Sequence, residues 1–495
     1  MKYKSTRSSY SMISSSEAII KGIAEDGGLY VPLEIPVLNK SLEDMALLSY
    51  KDLAYYIMSK YLTDFDENEL KDCIDKAYNS KFETPLIAPL VAKAGVHFLE
   101  LYHGPTLAFK DMALSILPHL LKTSMKKQAI KKEVVILTAT SGDTGKAALE
   151  GFANIKGTRI MVFFPQDGVS TIQKLQMVTQ EGSNTFVCAI EGNFDDAQNA
   201  VKNIFNDKQF TEKLADGGYI LSSANSINIG RLVPQIVYYY YGYLTLLREG
   251  KINKGDNINA VVPTGNFGNI LAAFYAKRMG LPIGKLICAS NENNVLYDFI
   301  NTGVYDRKRD LHLTSSPSMD ILISSNLERL LYEISGHDEV LIKNLMHKLS
   351  TEGIYEVPDI MNQQLKDFYG GYATEAEVFD VIEKLYKSED YLIDTHTAVA
   401  YSVYRKYVRQ TGDNTPTILA STASPFKFGE AVSNAVGIEV VGLNDFEILE
   451  KLASAAKLNL PMAVRELKTK PVLHINLAKK HELKAVIENF LGGDN

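Results

Sequence analysis

The sequence has no tryptophan, only three cysteines and no long apolar run. Cys73, Cys188 and Cys288 are too few and too scattered for a disulfide framework or a Cys-x-x-Cys metal site, which excludes a disulfide-stapled domain. The most apolar long window, Val233–Leu247, is short and contains Pro234, Gln235, Gly242 and a run of tyrosines. It is too polar to span a bilayer and reads as a buried, aromatic-rich helix. There is no basic tract. The 52 Lys and Arg against 59 Asp and Glu give a net charge of −7, which argues against general nucleic-acid binding. Met1–Arg7 leads into a serine-rich stretch with no apolar h-region, so no secretory signal is expected and a cytoplasmic location follows by elimination.

What remains is ordinary in composition. The chain has 495 residues, 46% of them hydrophobic and 22% charged, enough for about three domains. Residues 1–95 read as a mainly helical entry region, with helical patterns over 42–80 and a short strand at Leu29–Val31. From Val134 the rhythm alternates. Val134–Leu137, Ile160–Phe164 and Thr185–Ile190 read as buried strands, each followed by a helical pattern, and Ile258–Val262 and Leu286–Ala289 resume the series after a break. Two such series predict an α/β protein of two three-layer α/β/α domains with mostly parallel sheets, assigned to 96–250 and 251–440, with a C-terminal α/β segment at 441–495. Ligands of open α/β sheets sit at the carboxyl ends of the strands, so the turns there are the places to search.

Four segments stand out. Pro263–Asn269 follows a strand and opens a helix, and Gly265 and Gly268 let the backbone amides curl into an anion cradle, although on this motif alone a plain strand-to-helix turn is the favoured reading. Neither it nor Gly145-Lys146 completes a dinucleotide or P-loop pattern, since Thr140 and Ala147 occupy required P-loop positions. Ser141–Gly145 also follows a strand and suits a carboxylate or phosphate, or simply an N-cap. In His103–Asp111, Lys110 follows apolar Leu107, Ala108 and Phe109, which would desolvate its amine as in a Schiff-base lysine. The plain alternative is a surface lysine paired to Asp111, and His103 reads as structural. Ser222–Arg231 crowds hydroxyls, amides and one arginine together. It is either a phosphate site or a helix start capped by Asn225 or Ser226 with Arg231 on its surface. A candidate Schiff-base lysine, a phosphate cradle and two anion turns on an α/β framework together describe a pyridoxal-phosphate enzyme.

With these residues in place, the chain resembles the threonine synthases, which share the tryptophan synthase β-like fold. The resemblance runs through Ser5–Arg7, Asp26–Pro32, His103–Asp111, Ser141–Gly145, Asn225–Arg231, Gly265–Gly268 and Pro317–Ile321. It implies pyridoxal 5'-phosphate as cofactor, carried by Lys110, with the amides of Gly265, Asn266, Phe267 and Gly268 on its phosphate, Thr422 facing its ring nitrogen and Asp143 beside its ring. It further implies Ser141 and Thr144 on the substrate carboxylate, and Lys174, Asn225, Ser226, Asn228 and Arg231 as candidates for a substrate phosphate. Many members carry tryptophan where this chain has Ile229.

The activity implied is that of a carbon–oxygen lyase acting on phosphate. O-phospho-L-homoserine and water give L-threonine and phosphate by γ-elimination followed by addition of water at Cβ, the last step of threonine biosynthesis. A threonine or serine dehydratase of the same fold would share Lys110 and the glycine turn but would not need Arg231. A non-catalytic threonine-synthase-like binding protein would be expected to lack one or both. Neither a metal ion, a nucleic acid nor a membrane is expected as a partner, and the chain is expected to be a monomer or homodimer.

Overall fold

A computed structural model describes residues 1–140, 142–166, 169–192 and 194–492. Two parallel sheets dominate it. The larger has six strands in the order Phe368–Tyr372, Ile283–Ser290, Ile258–Pro263, Thr417–Ser421, Val96–Glu100 and Leu90–Lys93. All of its neighbours run parallel except the last pair, and Val261 stands between Ile287 and Leu419. The smaller is wholly parallel, in the order Asn476–Lys479, Thr185–Glu191, Thr158–Pro165, Glu133–Ala139 and Tyr219–Ser222. Central strands such as Ile258–Pro263 are buried along their whole length, which is why they read as unbroken apolar runs without alternation.

The sheets cut across the four sequence segments. Val96–Glu100 pairs with Thr417–Ser421 in the larger sheet, although the alternating pattern groups it with residues 96–250. Asn476–Lys479 extends the smaller sheet from the far end of the chain. Strand pairing over more than 300 residues leaves no trace in local periodicity. The entry region contains, besides helices Tyr50–Tyr61 and Glu67–Ala77, a three-stranded antiparallel sheet in the order Ser8–Ile13, Tyr3–Ser5, Tyr30–Pro32. Ser8–Ile13 is largely exposed and Tyr3–Ser5 is only three residues long, so the sequence pattern missed both.

Val233–Leu247 lies inside the helix Ile229–Arg248, buried along nearly its whole length. An all-round apolar helix belongs in a core. It packs against Gly268–Arg278 and Tyr50–Tyr61. Tyr50 meets Tyr78 and Tyr241 edge-on, both at 5.2 Å between ring centroids. Ile229 is fully buried in this core. Among the described residues no helix is long and apolar enough to cross a membrane.

Candidate active site

The turns that follow three adjacent strands of the larger sheet meet at one place. Lys110 follows Val96–Glu100, Thr422 follows Thr417–Ser421, and Gly265–Gly268 follows Ile258–Pro263. The first two segments are joined by backbone: Phe109 N–H donates to Thr422 O at 2.8 Å and Ser424 N–H to Leu107 O at 3.0 Å. Lys110 is buried, as is Asp111, whose carboxylate accepts from the Thr106 amide at 2.8 Å and the Thr106 hydroxyl at 2.6 Å. The surface pairing of Lys110 with Asp111 is therefore not formed. Gly104 is required here, because a Cβ would lie 2.5 Å from the Asp111 side chain.

Lys110 Nζ instead donates to Asp143 Oδ2 and to Ser318 Oγ, each at 3.2 Å. Asp143 comes from the smaller sheet, at the start of helix Asp143–Phe152, so the lysine spans the two sheets. The carboxylate is saturated. Oδ2 also accepts from Ser318 Oγ at 3.0 Å, while Oδ1 accepts from Gln173 Nε2 at 2.8 Å and Lys427 Nζ at 3.0 Å. Burial alone would raise the Asp143 pKa, but Lys110 and Lys427 beside it hold it well below the usual carboxylate range. Burial lowers the Lys110 pKa, opposed by Asp143 and reinforced by Lys427. His396 Nδ1 faces Asp394 Oδ2 at 2.8 Å and its Nε2 accepts from Ser318 N–H at 3.2 Å, which assigns the neutral Nδ1–H tautomer. Asp394, the N-cap of helix Thr395–Thr411, thereby holds the Ser318 loop through the ring.

In the glycine turn, among the described residues, the amides of Gly265, Asn266, Phe267 and Gly268 meet no hydrogen-bond acceptor, and helix Gly268–Arg278 begins there. Phe267 takes a left-handed conformation with φ 63°, strain of the kind that collects at binding sites. A Cβ on Gly265 would lie 2.7 Å from Ser318 O, so only glycine permits this approach. The carbonyls of the turn are held away from its amides: Gly265 O accepts from Ser324 Oγ at 2.7 Å and Asn266 O from Asn326 N–H at 3.1 Å.

On the facing turn, Arg231 is buried rather than on a surface. Its Nη1 donates to Ala224 O at 2.9 Å, and among the described residues its Nε has no partner and the guanidinium no carboxylate within salt-bridge distance. Burial brings its pKa down to about 10. Ser226 Oγ accepts from Asn326 Nδ2 at 3.1 Å, and Asn326 in turn holds the glycine turn. A cavity of about 370 Å³ opens elsewhere, on the Lys427 and Gln173 side of Asp143, and Arg231 does not line it. Lys427 and Gln173 line it, with Thr314, Asp320 and Phe428, and Lys110 does not.

Comparison with known proteins identifies the assembly. A model described as pyridoxal-phosphate dependent enzyme matches residues 80–421, flanked by models for the threonine synthase N terminus at 2–78 and C-terminal region at 397–487. Threonine synthase of Schizosaccharomyces pombe is 38% identical over 466 residues, 88% of this chain and 89% of that one. The chain belongs to the threonine synthase family of pyridoxal-phosphate dependent enzymes. Human threonine synthase-like 1 is 41% identical over 439 residues, 86% of this chain, and the chain spans only 58% of its length. The structure of PLP-bound threonine synthase from Brucella melitensis superposes with a TM-score of 0.88 at 35% identity, covering 99% of both chains.

The residues present fit the cofactor of this family. The four acceptor-free amides at a helix N-terminus suit a phosphate ester, and the buried lysine amine suits an aldehyde carbon. Thr422 is buried, and its neutral hydroxyl suits a neutral ring nitrogen. The family's N-terminal signature is a clamp. Thr6 Oγ1 and Arg7 both bond Glu328, Arg7 through two nitrogens at 2.8 Å, and Ser5 donates to Asp26 at 2.7 Å.

The remaining sequence candidates separate. Thr144 is half-buried beside Asp143, and Ser141 lies outside the described residues. Asn228, and neither Asn225 nor Ser226, caps the helix: its Oδ1 accepts from Gly230 N–H at 2.9 Å and its Nδ2 donates to Ile19 O at 2.9 Å, so its side chain is engaged in holding the turn. Asn225 is exposed. Lys174 is exposed too, with no side-chain partner among the described residues, while its neighbour Gln173 reaches Asp143. Sequence reading missed Lys427, Gln173, His396 and Asp394. Only Lys427 carried a signal, lying five residues after Thr422 in the same turn.

Proposed function

We propose that this protein converts O-phospho-L-homoserine and water to L-threonine and phosphate, using pyridoxal 5'-phosphate. One observation carries the reading: the buried guanidinium of Arg231, without a carboxylate partner among the described residues, lies near the buried Lys110 amine and the glycine turn, whose amides meet no acceptor among them. A buried cation without a counter-ion is costly, and a doubly charged leaving group supplies one.

Lys110 would carry the cofactor, the amides of Gly265, Asn266, Phe267 and Gly268 would hold its phosphate, Thr422 would face its ring nitrogen and Asp143 would lie beside its ring. When bound, it supplies a sink for the electron pair left at the substrate α-carbon. The chain's own residues handle protons and charge. Burial favours the neutral Lys110 amine, which takes the proton from Cα and returns it. Thr144, with Ser141, and the start of helix Asp143–Phe152 receive the substrate carboxylate. Loss of a Cβ proton then lets the Cγ–O bond break; Arg231 and Ser226 receive the departing phosphate, and charge-assisted donors there stabilise the leaving group. Water then adds at Cβ, and protons delivered to Cα and Cγ complete threonine.

A dehydratase of the same fold has no use for Arg231. The test is to supply O-phospho-L-homoserine and, separately, L-threonine to the holoenzyme. Equal amounts of phosphate and threonine from the first, with no ammonia from the second, support the reading; ammonia and a keto acid from threonine would replace it with the dehydratase.

A further inference from the structure

We propose that Lys427 is a positioning residue, the standing counter-ion that keeps Asp143 ionised while Lys110 is committed to the cofactor; this rests on the function proposed above. Lys427 arrives from the short helical turn Pro425–Phe428, and its side chain is wholly shielded from solvent. Its ammonium donates to Thr106 O at 2.7 Å and to Asp143 Oδ1 at 3.0 Å. The opposite oxygen of the same carboxylate faces Lys110.

One buried carboxylate thus meets two buried lysine nitrogens. The other charged and titratable groups around the cluster make their hydrogen bonds elsewhere: Asp394 to His396 and Thr397, His396 to the Ser318 amide, Asp111 to Thr106, and Asp320 to Asn291, Asn293 and Thr314, while Arg231 is a further buried cation. The second lysine has a purpose once Lys110 becomes covalently linked and no longer serves as a free ammonium. Gln173 and Ser318 orient Asp143 as neutral donors, but a fully buried carboxylate without a cation beside it takes up a proton. With Lys427 in place Asp143 stays an acceptor throughout, and the mobile proton resides on the Lys110 nitrogen instead of being shared with the carboxylate.

The test titrates the visible absorbance of the Lys110-linked cofactor in full-length holoenzyme against pH, for wild type, Lys427→Met, Asp143→Asn and the double variant. Lys427→Met is expected to gain a spectral step that wild type lacks, from an Asp143 pKa raised by about 1–3 units. The step is expected to vanish in the double variant, which loses both charges together and so also controls for misfolding. Wild-type and Lys427→Met spectra that titrate identically would overturn the proposal, as would a step that persists without the Asp143 carboxylate. The wild-type absorbance itself reports whether Lys110 carries the cofactor at all, so failure of the functional reading is distinguishable from failure of this one.

Discussion

Phe109 N–H donates to the Thr422 carbonyl at 2.8 Å, which locks the segment carrying Lys110 onto the turn after the neighbouring strand. Lys110 is thereby held by backbone on one side and by Asp143 and Ser318 on the other. Lys110→Ala is expected to abolish the visible absorbance of bound cofactor and to lower kcat by about 100- to 10,000-fold, the range for losing a positioned acid–base group. Absorbance and turnover measured on the same sample check both halves.

Gly265→Ala places a methyl 2.7 Å from Ser318 O, a backbone atom that cannot swing aside. The turn must withdraw from the 316–320 loop, at a cost of about 1–3 kcal/mol. Cofactor affinity is expected to fall by about 5- to 150-fold, read from the Kd of reconstituted apoprotein.

Arg231→Gln removes a buried charge that the fold leaves uncompensated. Loss of a charged hydrogen bond to the leaving phosphate is expected to lower kcat/KM by about 10- to 150-fold, equivalent to about 1.5–3 kcal/mol. Thermal unfolding of the same variant is expected to show a Tm unchanged or raised. A lower Tm would mark Arg231 as a structural residue.

His103 gives a pH dependence of stability. Its burial works against protonation, yet Glu100, 2.8 Å from Nε2, and Glu83 overcome it and raise its pKa to about 9. A pKa raised on folding stabilises the native state below the unfolded value, near 6.5, and that contribution is lost as pH rises towards 9. The Tm difference between wild type and His103→Gln is expected to be largest near pH 6 and to vanish above about pH 9.

Much of this site was legible because its parts lie in short turns after buried strands. Lys110 stood out by its apolar neighbours, and the Gly265 turn by its place between a strand and a helix. The reading failed where chemistry depends on distant segments. Lys427, Gln173 and His396 converge on Asp143 and Ser318 from sequence separations of 30 to 284 residues, and no local pattern marks a buried lysine as a counter-ion. The Val96–Glu100 strand was visible as a strand. Its sheet was not, because the partner Thr417–Ser421 comes more than 300 residues later. Asn228 caps the helix start, a role its sequence pattern did not separate from phosphate binding, since both use the same residue types at helix starts.

The central claim is that the Cγ–O bond breaks and water oxygen enters at Cβ. The most direct measurement is turnover of O-phospho-L-homoserine in water enriched in heavy oxygen, with mass analysis of both products. The account predicts one labelled oxygen in the threonine hydroxyl and an initially unlabelled phosphate. Labelled phosphate alongside homoserine would mean cleavage at phosphorus and would contradict it.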